Sequence, residues 1–185
     1  MPEINIKFST VLFVALFLLP DASGLTLSVL IAAAAHEAGH LAAMYIRGVY
    51  PTSITVYPFG IDIATRDSLS SYRTDIFIAA AGCAVNLLLA IISAPFISIF
   101  AMCCASLAVL NLLPIKSLDG GRILESVLLM HMEEEQAAAA IYAISFIFIV
   151  VLWVVSIYLM LFAPFNPTLF FLCVYLFALI FLKKT

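Results

Sequence analysis

The chain has 185 residues, of which 65% are apolar, and its mean hydropathy is +1.21. Its 8 basic and 11 acidic side chains leave a net charge of -3, too few charges to build a basic face. This composition excludes a disordered chain, a nucleic-acid binder and an ordinary soluble enzyme, because so little polar surface cannot cover a domain of this size in water.

Six apolar runs follow one another along the chain. They are Phe8–Pro20, Leu25–Ile46, Ile76 through the Leu87–Ile92 stretch, Phe96–Leu113, Ala137–Phe162 and Thr168–Leu182. A helix needs about 20 residues to cross ~30 Å of hydrocarbon, and the runs are near that length, the first and last being short. Pro20-Asp21, Ala94-Pro95 and the Pro164–Pro167 stretch interrupt them where turns are needed. The expected architecture is an all-α polytopic membrane protein of about six transmembrane helices. It forms one domain over 1–185, with a catalytic core at about 25–129 and accessory helices at 1–24 and 130–185.

The basic residues orient this arrangement. With the N-terminus inside, Lys7, Arg47, Arg66, Arg73, Lys116, Arg122, Lys183 and Lys184 all fall on the cytoplasmic side, and the opposite turns carry only Asp21. The chain is therefore expected in the cell membrane with both termini cytoplasmic. A cleaved signal at the first run is the alternative, since Lys7 precedes a short apolar core and Ala22-Ser23-Gly24 follows it. Between the second and third runs, Ile54 and Val56 alternate with Thr55 and Tyr57, and Ile61-Asp62-Ile63 alternates likewise. With Pro58-Phe59-Gly60 as the turn, Thr52–Ala64 reads as a β-hairpin. We expect it to be membrane-associated and to take substrate as an added strand; a cytoplasmic hairpin with no substrate contact is the alternative. The four cysteines, Cys83, Cys103, Cys104 and Cys173, lie within apolar runs without disulfide or zinc-ribbon spacing, and read as buried, inert thiols.

The second run carries ionisable residues where they are expensive. His36-Glu37-Ala38-Gly39-His40 lies between Ile31–Ala35 and Leu41–Met44, and a carboxylate at membrane depth costs a few kcal/mol or more. His36 and His40 are four residues apart, so their imidazoles share one helical face and can aim at one point. Glu37, on the adjoining face, can reach a water held there. Two histidine ligands plus a general base is the metalloprotease pattern. A zinc site with an open position wants a third protein ligand, for which His131 and Asp119 are candidates. Asp119 alone also reads as a cap or turn residue opening the Arg122–Leu129 segment. Asn86 and Asn111 alone also read as interhelical packing contacts.

His36–His40 on one apolar helix, with Asn111, Pro114 and Asp119-Gly120 on a later one, resembles the site-2 protease family of intramembrane zinc metalloproteases. The resemblance implies one zinc ion per chain, held by His36, His40 and Asp119, with Glu37 activating the water. It implies that Asn111 holds extended substrate backbone and steadies the oxyanion. Gly82-Cys83-Ala84-Val85-Asn86 resembles the family's glycine-to-asparagine segment, making Asn86 a second substrate-contact candidate. The short chain and Tyr57-Pro58-Phe59-Gly60 look most like the sporulation branch, which releases a membrane-tethered pro-sigma factor. Lys116-Ser117 replaces prolines often found there, and neither the branch's CBS domain nor a PDZ insertion is expected. The implied partners are a membrane protein substrate, the lipid bilayer and a membrane inhibitor or activator protein, with no nucleic acid. A metal-ion transporter or permease using the same intramembrane ligands is the rival reading.

Overall fold

The computed structural model describes residues 3–6, 24–57, 60–65, 71–162, 170 and 173–178. In chain order the elements are β1 (Glu3–Ile6), α1 (Leu25–Ile46), β2 (Pro51–Tyr57), β3 (Gly60–Thr65), α2 (Tyr72–Ser93), α3 (Ser98–Asn111), α4 (Asp119–Leu129) and α5 (Glu134–Phe162). Among the described residues, three helices are long and apolar enough to cross a bilayer: α1 and α2, of 22 residues each, and α5, of 29. At 1.5 Å per residue, 22 residues rise about 33 Å. Helix α3 is apolar but shorter, at 14 residues. The expected first span, Phe8–Pro20, lies outside the described residues, as does the Pro58-Phe59 turn, and the sixth is described only at 170 and 173–178. Two compact units divide the chain, Met1–Val109 and Leu110–Thr185.

In the first unit, α1 and α2 pack along each other with an inverted polarity. The buried face of α1 is Ala32, His36, Gly39, His40, Ala43 and Met44, a run of steps of one, three and four residues. Apart from Met44 that stripe is small or polar, while Leu25, Leu27, Ile31, Tyr45 and Ile46 are exposed. Helix α2 repeats the arrangement, burying Ile78, Ala79, Gly82, Cys83, Asn86 and Ala90 and exposing Leu88, Ile91 and Ile92. Bulky side chains outside and small or polar ones inside suit a lipid solvent and close helix approach. Two apolar contacts bracket the polar stretch: Ala32 with Ala90 and Cys104 on one side, and Ala43 and Met44 with Ile78 on the other.

A glycine ends α1 sharply. Gly48 has φ +71°, and Val49 N–H donates to Met44 O at 2.9 Å while Gly48 N–H donates to Tyr45 O at 3.1 Å. This pair of crossed bonds is a Schellman motif, completed by Val49 packing on the Met44 cluster. The chain is thereby turned directly into β2.

The three strands form one sheet in the order β1-β2-β3. Strand β2 pairs antiparallel with β3, from Pro51↔Thr65 to Tyr57↔Gly60. It also pairs in parallel with β1, from Glu3↔Ser53 to Ile6↔Val56, a partner the alternation of the sequence did not announce. Both edges of β2 are therefore occupied, and an added strand could join only at β1 or β3.

In the second unit, α4 leans on α5 and an irregular stretch precedes it. Ile115 is fully buried against Ile149 and Leu176. The backbone N–H of Lys116 donates to Ser145 Oγ at 2.9 Å, and that hydroxyl donates to Ile141 O at 2.6 Å. A non-helical backbone among apolar helices must have its polar groups satisfied by protein, and α5 supplies this bond.

Candidate metal centre

The packing of α1 on α2 brings both histidines of the His36–His40 motif against Gly82, Cys83 and Asn86. His36 and His40 are buried, their rings perpendicular with centroids 4.6 Å apart. Their Nε2 atoms lie 3.1 Å from one another. His40 Nδ1–H donates to Ile78 O at 2.8 Å, which leaves its Nε2 with a bare lone pair. Asn86 is fully buried, and its Nδ2 lies 3.4 Å from His36 Nδ1. Glu37 is half-buried on the adjoining face.

Close helix approach is what allows this. A Cβ on Gly39 would meet Ala81 O at 3.0 Å and Gly82 Cα at 3.1 Å. On Gly82 it would stand 2.5 Å from His40 Nε2 and 2.9 Å from His36 Cε1. Gly82 is thus the floor of the imidazole pair, and any side chain there would occupy the space the rings hold.

The donor chemistry fits zinc. Two nitrogens each 2.0–2.1 Å from a tetrahedral ion are about 3.3 Å apart, close to the observed 3.1 Å. The second nitrogen of His40 is bonded to a backbone carbonyl, the usual partner of a metal-bound imidazole. Cys83, read from the sequence as inert, offers a sulfur within 4.8 Å of a His36 ring nitrogen. Its place one residue after Gly82 and three before Asn86 points to it only once α2 is packed against the histidine face of α1.

In the second unit, Asp119 is buried and opens α4. It does not cap the helix: the cap position is Leu118, with no side-chain cap bond. The next two residues explain its setting. A Cβ on Gly120 would collide with the carbonyls of Leu112 and Leu113, and one on Gly121 with Ile115 O. Asp119 is therefore carried on a helix start seated directly on the backbone of the preceding loop. Asn111, the last residue of α3, is half-buried. Lys116 Nζ lies 3.2 Å from Glu125 Oε1 and 4.3 Å from the centre of the Tyr142 ring. Burial disfavours its ammonium, but the hydrogen bond and charge of Glu125, with Tyr142 assisting, outweigh this and raise its pKa above the ordinary 10.5. His131 is exposed, with Nδ1–H donating to Val127 O at 2.9 Å, so its ring is engaged on the end of the helix it follows.

Residues 93–152 match the model of peptidase family M50. That segment contains Asn111 and Asp119 and excludes the His36–His40 motif. No curated protein matches the chain. Among solved structures, the fold is similar to that of the site-2 protease from Methanocaldococcus jannaschii, with a TM-score of 0.69 and 17% identity over 94% of this chain and 86% of that one. At that identity the likeness speaks for the fold. With the paired histidines, the family match and the fold support an intramembrane zinc metalloprotease.

Proposed function

We propose that the chain is an intramembrane endopeptidase with one zinc ion per chain. It hydrolyses peptide bonds of transmembrane or membrane-associated proteins near the cytoplasmic face of the cell membrane. The product is a released transcription regulator of the pro-sigma-factor kind. The observation that carries the reading is the convergence of the two imidazoles, Nε2 to Nε2 at 3.1 Å, on a buried stripe of an otherwise lipid-facing helix. The proposed ligands are His36, His40 and Asp119. About seven residues, or ~10 Å of rise, separate His40 from Arg47, which favours a site in the cytoplasmic half of the bilayer.

The parallel pairing of β1 with β2 supports placing the N-terminus on the same side of the membrane as the C-terminal end of α1. Because residues 6 and 51 enter one small sheet, the intervening chain leaves and returns on the same side. That suits a first span followed by α1, within a six-span arrangement with both termini inside. The sheet, placed at the cytoplasmic end of α1, is the proposed docking edge for substrate, now at β1 or β3.

A zinc ion so bound supplies Lewis acidity and brings the pKa of a water toward 7. Glu37 accepts the proton of the attacking water and returns it to the departing amine. Asn111 donates to the developing oxyanion or to the extended substrate backbone.

Exchanging Glu37 for Gln tests the reading. We expect zinc to be retained, cleavage of a membrane substrate to fall by at least about 10²–10⁴-fold, and substrate to accumulate on the protein, where mass spectrometry identifies it. Cleavage at the normal rate by zinc-loaded Glu37→Gln overturns it. Metal flux across liposomes without peptide cleavage would favour the permease.

A further inference from the structure

The Asn86 side chain has an unfinished hydrogen-bond pattern that bears on His36. It is fully buried, its Nδ2 faces His36 Nδ1 at 3.4 Å, and its Oδ1 has no hydrogen-bond partner. A buried amide oxygen without a donor is costly, and such an atom in a packed interior calls for a reason.

The proton positions on the histidines provide one. His40 Nδ1–H is committed to Ile78 O, so in the neutral ring His40 Nε2 is an acceptor. Two tautomers of His36 are then compatible with its neighbours. With the proton on Nε2, His36 donates to His40 Nε2 at 3.1 Å, and its bare Nδ1 accepts from Asn86 Nδ2–H. With the proton on Nδ1, both Nε2 atoms are bare and face the same point, and Nδ1–H needs an acceptor. Rotating the Asn86 amide by half a turn exchanges its two ends and puts the partnerless Oδ1 opposite that proton. Only the second tautomer can bind a cation through both imidazoles.

We infer that Asn86 is a positioning residue for His36, and that its amide oxygen accepts His36 Nδ1–H to hold the ring in the metal-binding tautomer. This rests on the metalloprotease reading above, and moves Asn86 from substrate contact to ligand support. It also accounts for the choice of an amide. Asparagine can serve either tautomer, donating to one and accepting from the other. A carboxylate serves the binding tautomer alone, and an aliphatic chain serves neither. Residues bonded to the far nitrogen of a metal-bound histidine typically change metal affinity by about 10–100-fold when removed.

The experiment measures zinc affinity of the full chain in detergent micelles by competition with a chromophoric chelator, for the wild type, Asn86→Leu and Asn86→Asp. Asn86→Leu is expected to bind zinc about 10–100-fold more weakly, and Asn86→Asp as tightly as the wild type or more tightly. Visible absorption of the cobalt-substituted proteins adds a readout of ligand geometry, in which Asp keeps the wild-type bands and Leu does not. Zinc affinity of Asn86→Leu unchanged within about twofold overturns the inference and returns Asn86 to substrate contact or packing. Asp behaving as poorly as Leu also overturns it, since the acceptor would then not be what matters. Asp carries the test if Leu fails to fold: zinc binding by Asn86→Asp weaker than that of the wild type refutes the inference. A wild type that binds no zinc refutes the metalloprotease reading instead, so the two failures are distinct.

Discussion

Gly82→Ala is the sharpest test of how the two helices build the site. The added methyl would stand 2.5 Å from His40 Nε2, 2.6 Å from His40 Cε1 and 2.9 Å from His36 Cε1. Ordinary carbon contacts begin near 3.5 Å, so His40 or the helix must move by about 1 Å. The ring has little room to yield, because its Nδ1 is bonded to Ile78 O on the same helix that carries the methyl. Overpacking of this kind costs about 1–3 kcal/mol of stability, and a displacement of about 1 Å in a catalytic group lowers rate by about 10²-fold. The assay pairs zinc competition with cleavage of a membrane substrate and thermal unfolding in detergent. Gly48→Ala is the control. Its φ of +71° makes a side chain strained by about 1 kcal/mol, but no atom lies within 4 Å of the added carbon, so stability should fall without loss of zinc. If Gly82→Ala keeps zinc affinity and cleavage within about twofold of the wild type, the claim that Gly82 is the floor of the imidazole pair is refuted.

Three further outcomes follow from the same geometry. Ser145→Ala removes the acceptor for Lys116 N–H at 2.9 Å and should lower unfolding stability by about 1–3 kcal/mol; an unchanged melting temperature would show that water or a rearranged loop replaces the bond. Lys116→Met removes the partner of Glu125 and should cost about 1 kcal/mol. Because the folded pKa of Lys116 is raised above 10.5, this stabilisation is fully present below that value and lost only as pH rises through the folded pKa. The destabilisation by Lys116→Met should thus be equal at pH 6.5 and 8.5, and a difference between the two melting shifts refutes the pairing. Removing metal with a strong chelator should stop cleavage and lower the melting temperature, with zinc restoring both, and cleavage that survives chelation excludes the zinc mechanism.

The legible parts of the sequence were those governed by local rules. The second apolar run has the same limits as α1, because Gly24 and Gly48 punctuate it on both sides. Helix α2 begins at Tyr72, four residues before the apolar run at Ile76, because its first turn is polar and hydropathy alone trims it. The short strand β1 depends on a partner some fifty residues away, and four residues of Glu-Ile-Asn-Ile are too few to advertise it. In the site, the four-residue spacing of His36 and His40 carried over directly into convergent Nε2 atoms. Cys83 and Gly82 could be weighed only once α2 was known to lie against that same face of α1. The bond from Ser145 to the Lys116 backbone joins residues 29 apart by an ordinary-looking serine, and no spacing rule points to it.

The parallel register between Glu3–Ile6 and Ser53–Val56 also imposes an order on biosynthesis. The first strand leaves the ribosome roughly fifty residues before its partner, which at about 5–20 residues per second is a wait of several seconds. In the proposed six-span topology, the segment between the two strands enters the membrane in that interval. The sheet can then close only if that segment has crossed an even number of times. A nascent chain threaded with a missing crossing would leave the two strands on opposite sides of the bilayer, unable to meet. In that topology, closure of this small sheet by backbone hydrogen bonds is a check on insertion.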